Sequence, residues 1–324
     1  INIIFSKMKL KKTQKAMIIG SGVIGAYLSS FLLKKGFKLI VTSRKIKKRY
    51  DNYSKLKIEK NVKFKKLNLL NRENIKKIII SEKPQYIYYF AGVSSITQSF
   101  KCPKQTFNSN FLGAKNFLEV LKELNSPIKF FKANSGYIFN GNNSKISLKS
   151  KLIKPDSPYT YAQIKAYNLV KKFRSDGLKC YSIIFFNIES PLRPNSFFIK
   201  KICLSIKKIK NKKIKKIEVG NVNSVRDFGW APEIIKGVYL MSKLNPCDLL
   251  LGTGKKMSIK KTIKYAFNYQ KMNFKKYVKI NKKFFRKNEK KMIVASMTES
   301  SKKLGRWKPK IFGKKLIIKM YNNC

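Results

Sequence analysis

From residue 15 onward, apolar and polar positions follow two alternating periods. Short apolar-rich runs at 16–19, 38–41, 62–67, 86–90, 128–132 and 180–186 are bounded by turn residues or charges and predict buried strands. Between them, apolar residues spaced three and four apart predict helices over 26–35, 72–81, 107–124 and 161–174. Gly36 closes the first of these helices. Strands separated by helices of this size form βαβ units, so the expected fold is α/β, a Rossmann-like doubly wound parallel sheet. After Asn187 the alternation weakens, although 200–213 keeps helical spacing through Ile202, Ile206 and Ile209. The expected division is a basic tail at 1–12, a Rossmann domain at 13–187 and a smaller, partly interleaved substrate lobe at 188–324. Some segments of that lobe are expected to return to the first domain.

Composition narrows the chemistry. The 324 residues contain no His, which excludes a Ser-His-Asp triad, a His base and a His-ligated metal. Five scattered Cys without a CxxC pair argue against a disulfide framework and against a Cys-only zinc site. Lysines interrupt every apolar run before it reaches membrane-spanning length, and the first residues lack a signal-peptide cleavage pattern. The expectation is a soluble, cytoplasmic protein without a membrane partner, for which Met8 is an alternative start. A formal charge of +59 would suit a polyanion partner, but 66 of the 74 basic residues are Lys and only eight are Arg. Lys, Ile, Asn, Phe and Tyr are abundant together, as in compositional drift, and the lysines are spread along the chain. Solvated faces are therefore expected, rather than a nucleic-acid footprint.

Two constellations carry chemistry. Gly20-Ser21-Gly22-Val23-Ile24-Gly25 fits GxGxxG between the first strand and the first helix, the turn that brings backbone N–H groups to a pyrophosphate. Gly20, Gly22 and Gly25 are its candidate residues. The second strand runs into Arg44 with no acid nearby, which favours the 2′-phosphate of NADP over NAD. Further on, Tyr161 and Lys165 stand four apart, one helical turn, so that an ammonium could lower a phenol's pKa for proton exchange with a sugar oxygen. Ser135, at the end of a strand, could bond the same oxygen. Tyr159 is a rival, but only Tyr161 has Lys four residues later.

Together with Phe90–Gly92, these residues resemble the extended short-chain dehydrogenases/reductases of the NAD-dependent epimerase/dehydratase family. The segments 186–191 (FNIESP), 225–231 (VRDFGWA) and 304–309 (LGRWKP) are most similar to the GDP-mannose 4,6-dehydratase family. The resemblance implies an NADP-dependent enzyme acting on a nucleotide sugar, and a homo-oligomer formed through the helices near 107–124 and 161–174. It also implies roles by position: Asn68 where an Asp contacts adenine, Asn187 at the sugar, and Arg193 near cofactor or nucleotide. Arg226 would lie at the diphosphate and Arg286 at an anionic part of the substrate. With Arg44, that puts four of the eight Arg where a planar phosphate fork is needed, which Lys cannot supply.

The glycine turn is one residue shorter than the family's GxxGxxG. Where dehydratases carry a Glu that removes the C5 proton, this chain has Tyr137. A phenol is a poor base for that step, and Glu189 is the nearby acid that could replace it. The leading expectation is a dehydratase-like enzyme. The alternatives are a GDP-4-keto-6-deoxy-sugar reductase or epimerase, a non-catalytic NADP-binding scaffold, and a nucleic-acid binder.

Overall fold

The computed structural model of the chain describes residues 13–44, 51–141, 144–285 and 289–324; the basic tail at 1–12 lies outside them. The first half builds the sheet. β1 (Lys15–Ile19), α1 (Val23–Leu33), β2 (Lys38–Ser43), α2 (Asp51–Lys55), β3 (Lys63–Lys66), α3 (Arg72–Glu82) and β4 (Tyr86–Tyr89) follow the alternation of apolar runs and helical spacing. Residues 107–124, expected as one helix, are instead divided. α4 (Ile96–Lys101) and α5 (Pro103–Phe107) lead into a π-helical turn, Asn108–Leu112, and then α6 (Gly113–Glu123). A π turn widens the helix by one residue and re-aims the side chains after it. β5 (Lys129–Ser135), α7 (Pro158–Ser175) and β6 (Cys180–Phe185) complete this half.

In the second half, β7 (Asn187–Glu189), α8 (Phe198–Lys210), β8 (Ile217–Val219), β9 (Val225–Arg226), β10 (Phe228–Trp230) and α9 (Ala231–Met241) come first. They are followed by β11 (Asp248–Leu251), β12 (Met257–Ser258), α10 (Ile259–Tyr269), α11 (Phe274–Tyr277), β13 (Val278–Ile280), β14 (Met292–Ile293), α12 (Thr298–Lys303) and α13 (Gly313–Asn322). Seven parallel strands form the main sheet in the order β11-β6-β5-β4-β1-β2-β3, the doubly wound α/β fold the sequence predicts. β11 comes from the second half, and α9 packs with α1 and β1 in one apolar cluster. Residues 16–19 are wholly buried because helices cover both faces of the sheet, the usual condition of an all-parallel sheet. Small sheets β10-β7, β12-β9-β14 and β13-β8 make the second lobe, with a core of their own from α8, α10 and α13. No helix among the described residues is long and apolar enough to cross a membrane.

The strand order reverses between β1 and β4, the switch point where parallel sheets of this kind open a crevice at the carboxyl ends of their strands. The second lobe lies over that edge, so whatever binds there is held between the two cores.

Candidate active site

The glycine turn sits at the switch point and needs its glycines. Gly20 has φ +104°, and a Cβ there would come within 2.8 Å of the Ala91 backbone, at the end of β4. A Cβ on Gly25 would meet the Gly20 carbonyl at 2.5 Å. Gly22, which starts α1, faces open space. The Ser21 hydroxyl is buried with no hydrogen-bond partner, a donor available to an oxygen-rich ligand. This cradle, at the N-terminus of an 11-residue helix, fits a dinucleotide pyrophosphate. Arg44 is exposed directly after β2, whose Thr42 carbonyl accepts the Gly20 N–H at 3.2 Å, so it flanks the turn. Asn68 is exposed beyond β3, beside the end of β2, where the Leu67 N–H reaches Ser43.

A cavity of about 800 Å³ continues from this edge between the lobes. Ser135 lines it from the end of β5, where its hydroxyl accepts the Tyr137 N–H at 3.2 Å. The tyrosine that shares the cavity is Tyr159, not Tyr161. Tyr159 is 9% exposed and lines the cavity with Ser135, whose hydroxyl lies near enough to the phenol to lower its pKa. Tyr161 is 43% exposed, stacked on Phe107 at 5.7 Å, with the Lys165 ammonium 5.5 Å from its ring on the outside of α7. The structure therefore does not bring Tyr161 and Lys165 to Ser135.

Helix phase explains the difference. α7 begins at Pro158, not at residue 161: Ser157 caps it, accepting the Thr160 N–H at 3.2 Å while Thr160 Oγ1 accepts the Ser157 N–H at 3.1 Å. Its buried stripe includes Tyr159, Ala162, Gln163, Ala166, Val170 and Phe173, which carries Tyr159 and Gln163 inward. Tyr161 and Lys165 fall on the opposite stripe. The residue one turn after the inward tyrosine is thus Gln163, whose Oε1 is buried without a partner. Burial raises the Tyr159 pKa; the nearby Ser135 hydroxyl and the Arg193 charge oppose that rise, and Tyr137 adds to it.

The other expected substrate residues enter from the second lobe. Asn187 and Glu189 line the cavity from β7. The Arg193 guanidinium stacks on Phe197, 3.4 Å from the ring centroid, with Nε buried and unpartnered. Arg226 is buried over Tyr137 and donates to Glu289 at 3.2 Å and to the Val225 and Lys290 carbonyls. Its fork is already engaged by protein acceptors. Arg286 lies outside the described residues. Sequence reasoning missed Gln163 and Lys132 on the cavity wall; the apolar phase of α7 would have revealed the first.

Burial pushes the Glu189 carboxyl up to about 7, and the Arg193 charge only partly counters it. Its folded pKa lies above the unfolded value, so the stability it contributes is present below about pH 4.3 and is lost as pH rises through 7. The size of that loss is about 3 kcal/mol. Glu189→Gln should flatten the stability profile between pH 5 and 8 by that order relative to wild type, read by urea denaturation. Parallel profiles would contradict it.

Comparison with known proteins agrees with this architecture. The family model described as GDP-mannose 4,6 dehydratase matches residues 18–320. GDP-mannose 4,6 dehydratase 1 of Arabidopsis thaliana is 28% identical, over 96% of this chain and 90% of its own. GDP-mannose 4,6-dehydratase of Sinorhizobium fredii is 30% identical over 78% of this chain and 75% of its own. Among solved structures, UDP-glucose 4-epimerase of Thermotoga maritima superposes with a TM-score of 0.82 at 18% identity, covering 96% of this chain and 98% of its own.

Proposed function

The chain belongs to the GDP-mannose 4,6-dehydratase family, and from that membership we propose that it is an NADP-dependent enzyme that remodels a GDP-hexose in the cavity between its lobes. The observation that carries this reading is that Tyr159 and Ser135 line one cavity, which opens from the glycine turn. Gly20, Gly22 and Gly25 would hold the pyrophosphate, Arg44 the 2′-phosphate and Asn68 the adenine edge. Bound nicotinamide would supply the hydride acceptor and donor. Tyr159, not Tyr161, exchanges the proton with the sugar hydroxyl, and Ser135 holds the same oxygen. Asn187 and Arg193 bind the sugar nucleotide, and Arg226 reaches the diphosphate once that ligand displaces Glu289. A homo-oligomer through the outer face of α5 and α7, where Phe107 and Tyr161 stack, belongs to the same proposal.

The dehydratase reaction also needs a base for C5–H. Tyr137 stands where the family carries a carboxylate, but Glu189 lines the same cavity with its pKa pushed up to about 7, suited to proton abstraction near neutral pH. A second reading, reduction of a 4-keto sugar, is favoured by Tyr137 itself, because that reaction needs no C5 base. Incubation with GDP-mannose and NADP is expected to yield a 4-keto-6-deoxy product, lighter by one water in the mass spectrum. No product, together with NADPH oxidation on the 4-keto sugar, would overturn dehydration in favour of reduction.

A further inference from the structure

β5 sends a charged side chain into the interior. Lys132 lies in register with Tyr89 on β4 and Ser182 on β6, is 1% exposed, and is the only buried lysine among the described residues. No carboxylate among the described residues pairs with it. Its ammonium donates to the Ala133 carbonyl at 2.5 Å and lies 5.4 Å from the Tyr89 ring centroid. A three-donor group is thereby left with unused donors in a medium where each costs free energy. Burial pulls the ammonium down to about 7, so it is held at the edge of losing its charge.

Other polar groups that line the same cavity are incomplete in the same way. The Gln163 Oε1, both polar atoms of the Asn134 amide and the Asn110 Oδ1 are buried without partners. All three residues line the cavity together with Lys132, Ser135 and Tyr159. Buried polar groups in folded proteins are almost always satisfied, so unpartnered polar atoms that share a cavity wall with an ammonium suit a ligand rich in hydroxyl groups. The inward tyrosine has no lysine on its own helix, because Gln163 occupies that position and Lys165 faces outward. β5 and α7 approach the cavity from different elements, and the cation is on the strand.

We propose that Lys132 is the positioning cation of this site, holding from β5 the hydroxyl groups of a sugar ring bound beside Tyr159, in place of the lysine that α7 does not provide. On the functional reading above, on which this rests, that ring is the ribose next to nicotinamide. The hexose of the substrate offers the same hydroxyl chemistry, and separate titrations distinguish the two.

Lys132→Met and Lys132→Gln are titrated with NADPH by its fluorescence and with GDP-mannose by calorimetry, alongside thermal unfolding. The single variants should bind NADPH about 10- to 100-fold more weakly, the loss of charged hydrogen bonds. Their melting temperature should be unchanged or higher, since an uncompensated buried charge has gone. Adding Gln163→Lys to Lys132→Gln should restore most of the NADPH affinity, which a merely structural lysine would not allow. Loss confined to GDP-mannose, with the same rescue, assigns the hydroxyls to the hexose and upholds the lysine's role. Unchanged affinity for both ligands, absence of rescue, or unfolding of all three variants overturns it. A wild-type protein that binds neither ligand overturns the functional reading and this inference together, whereas a wild type that binds no better than its Lys132 variants overturns this inference alone.

Discussion

Tyr159→Phe is expected to lower turnover of the sugar nucleotide by about 10²- to 10⁴-fold, the range of general acid–base catalysis. Tyr161→Phe should leave it within about twofold of wild type. The two tyrosines are two residues apart on α7 but face opposite ways: only Tyr159 lines the cavity with Ser135, and Tyr161 keeps its ring stack on Phe107 when the hydroxyl is removed. The loss should fall on kcat more than on KM, because the phenol acts on the proton and contributes little to binding. Ligand affinity and melting temperature measured on both variants separate a chemical defect from a packing one. The reverse pattern, Tyr161→Phe inactive and Tyr159→Phe active, would return the proton transfer to the exposed pair and refute the cavity assignment.

Much of the fold was legible because its signals are periodic. Residues 16–19 and 38–41 are apolar runs too short for helices, and they became β1 and β2 within two residues of their expected ends. The glycine turn was legible because Gly20 and Gly25 occupy places that a Cβ would fill. The helix at 107–124 was not: an apolar pattern cannot report a π turn, which shifts phase by one residue at Asn108–Leu112. β5 extends three residues past its expected end at 132, which is how Ser135 comes to stand on a strand terminus at the cavity.

The structure keeps Tyr161 and Lys165, the expected pair, out of the cavity; the sequence hid this for a statistical and a physical reason. Lys is so frequent in this chain that a Lys four residues after a Tyr carries little information. Phase carries more: Ala166 lies seven residues after Tyr159, almost two full turns, and is wholly buried, whereas Tyr161 shares its stripe with exposed Lys165 and Asn168. Lys132 was illegible by the same frequency argument, since nothing in the string KFFKANS marks its second lysine as interior. Only the strand's register against Tyr89 and Ser182 does so.

Asp227→Ala should be the most destabilising single change in the substrate lobe. Asp227 is fully buried between β9 and β10, and its carboxylate accepts from Thr253 N at 2.9 Å, Thr253 Oγ1 at 2.5 Å, Gly254 N at 2.8 Å and Ala295 N at 3.2 Å. Burial raises its pKa, and those bonds offset the cost in part. Its own carbonyl accepts the Asn187 N–H at 3.1 Å, so one residue ties the cavity strand β7 to the loop after β11. Alanine would strand four buried donors at about 1–3 kcal/mol each. Even the lower bound, about 4 kcal/mol, is a large share of the 5–15 kcal/mol by which folded domains are typically stable. The expected result is a drop of about 6 °C or more in melting temperature. Asp227→Asn, which keeps one acceptor but turns an NH₂ toward the same donors, should recover only part of it. A loss below about 1 kcal/mol for the alanine variant would mean that water satisfies those donors and that Asp227 does not fasten the two lobes.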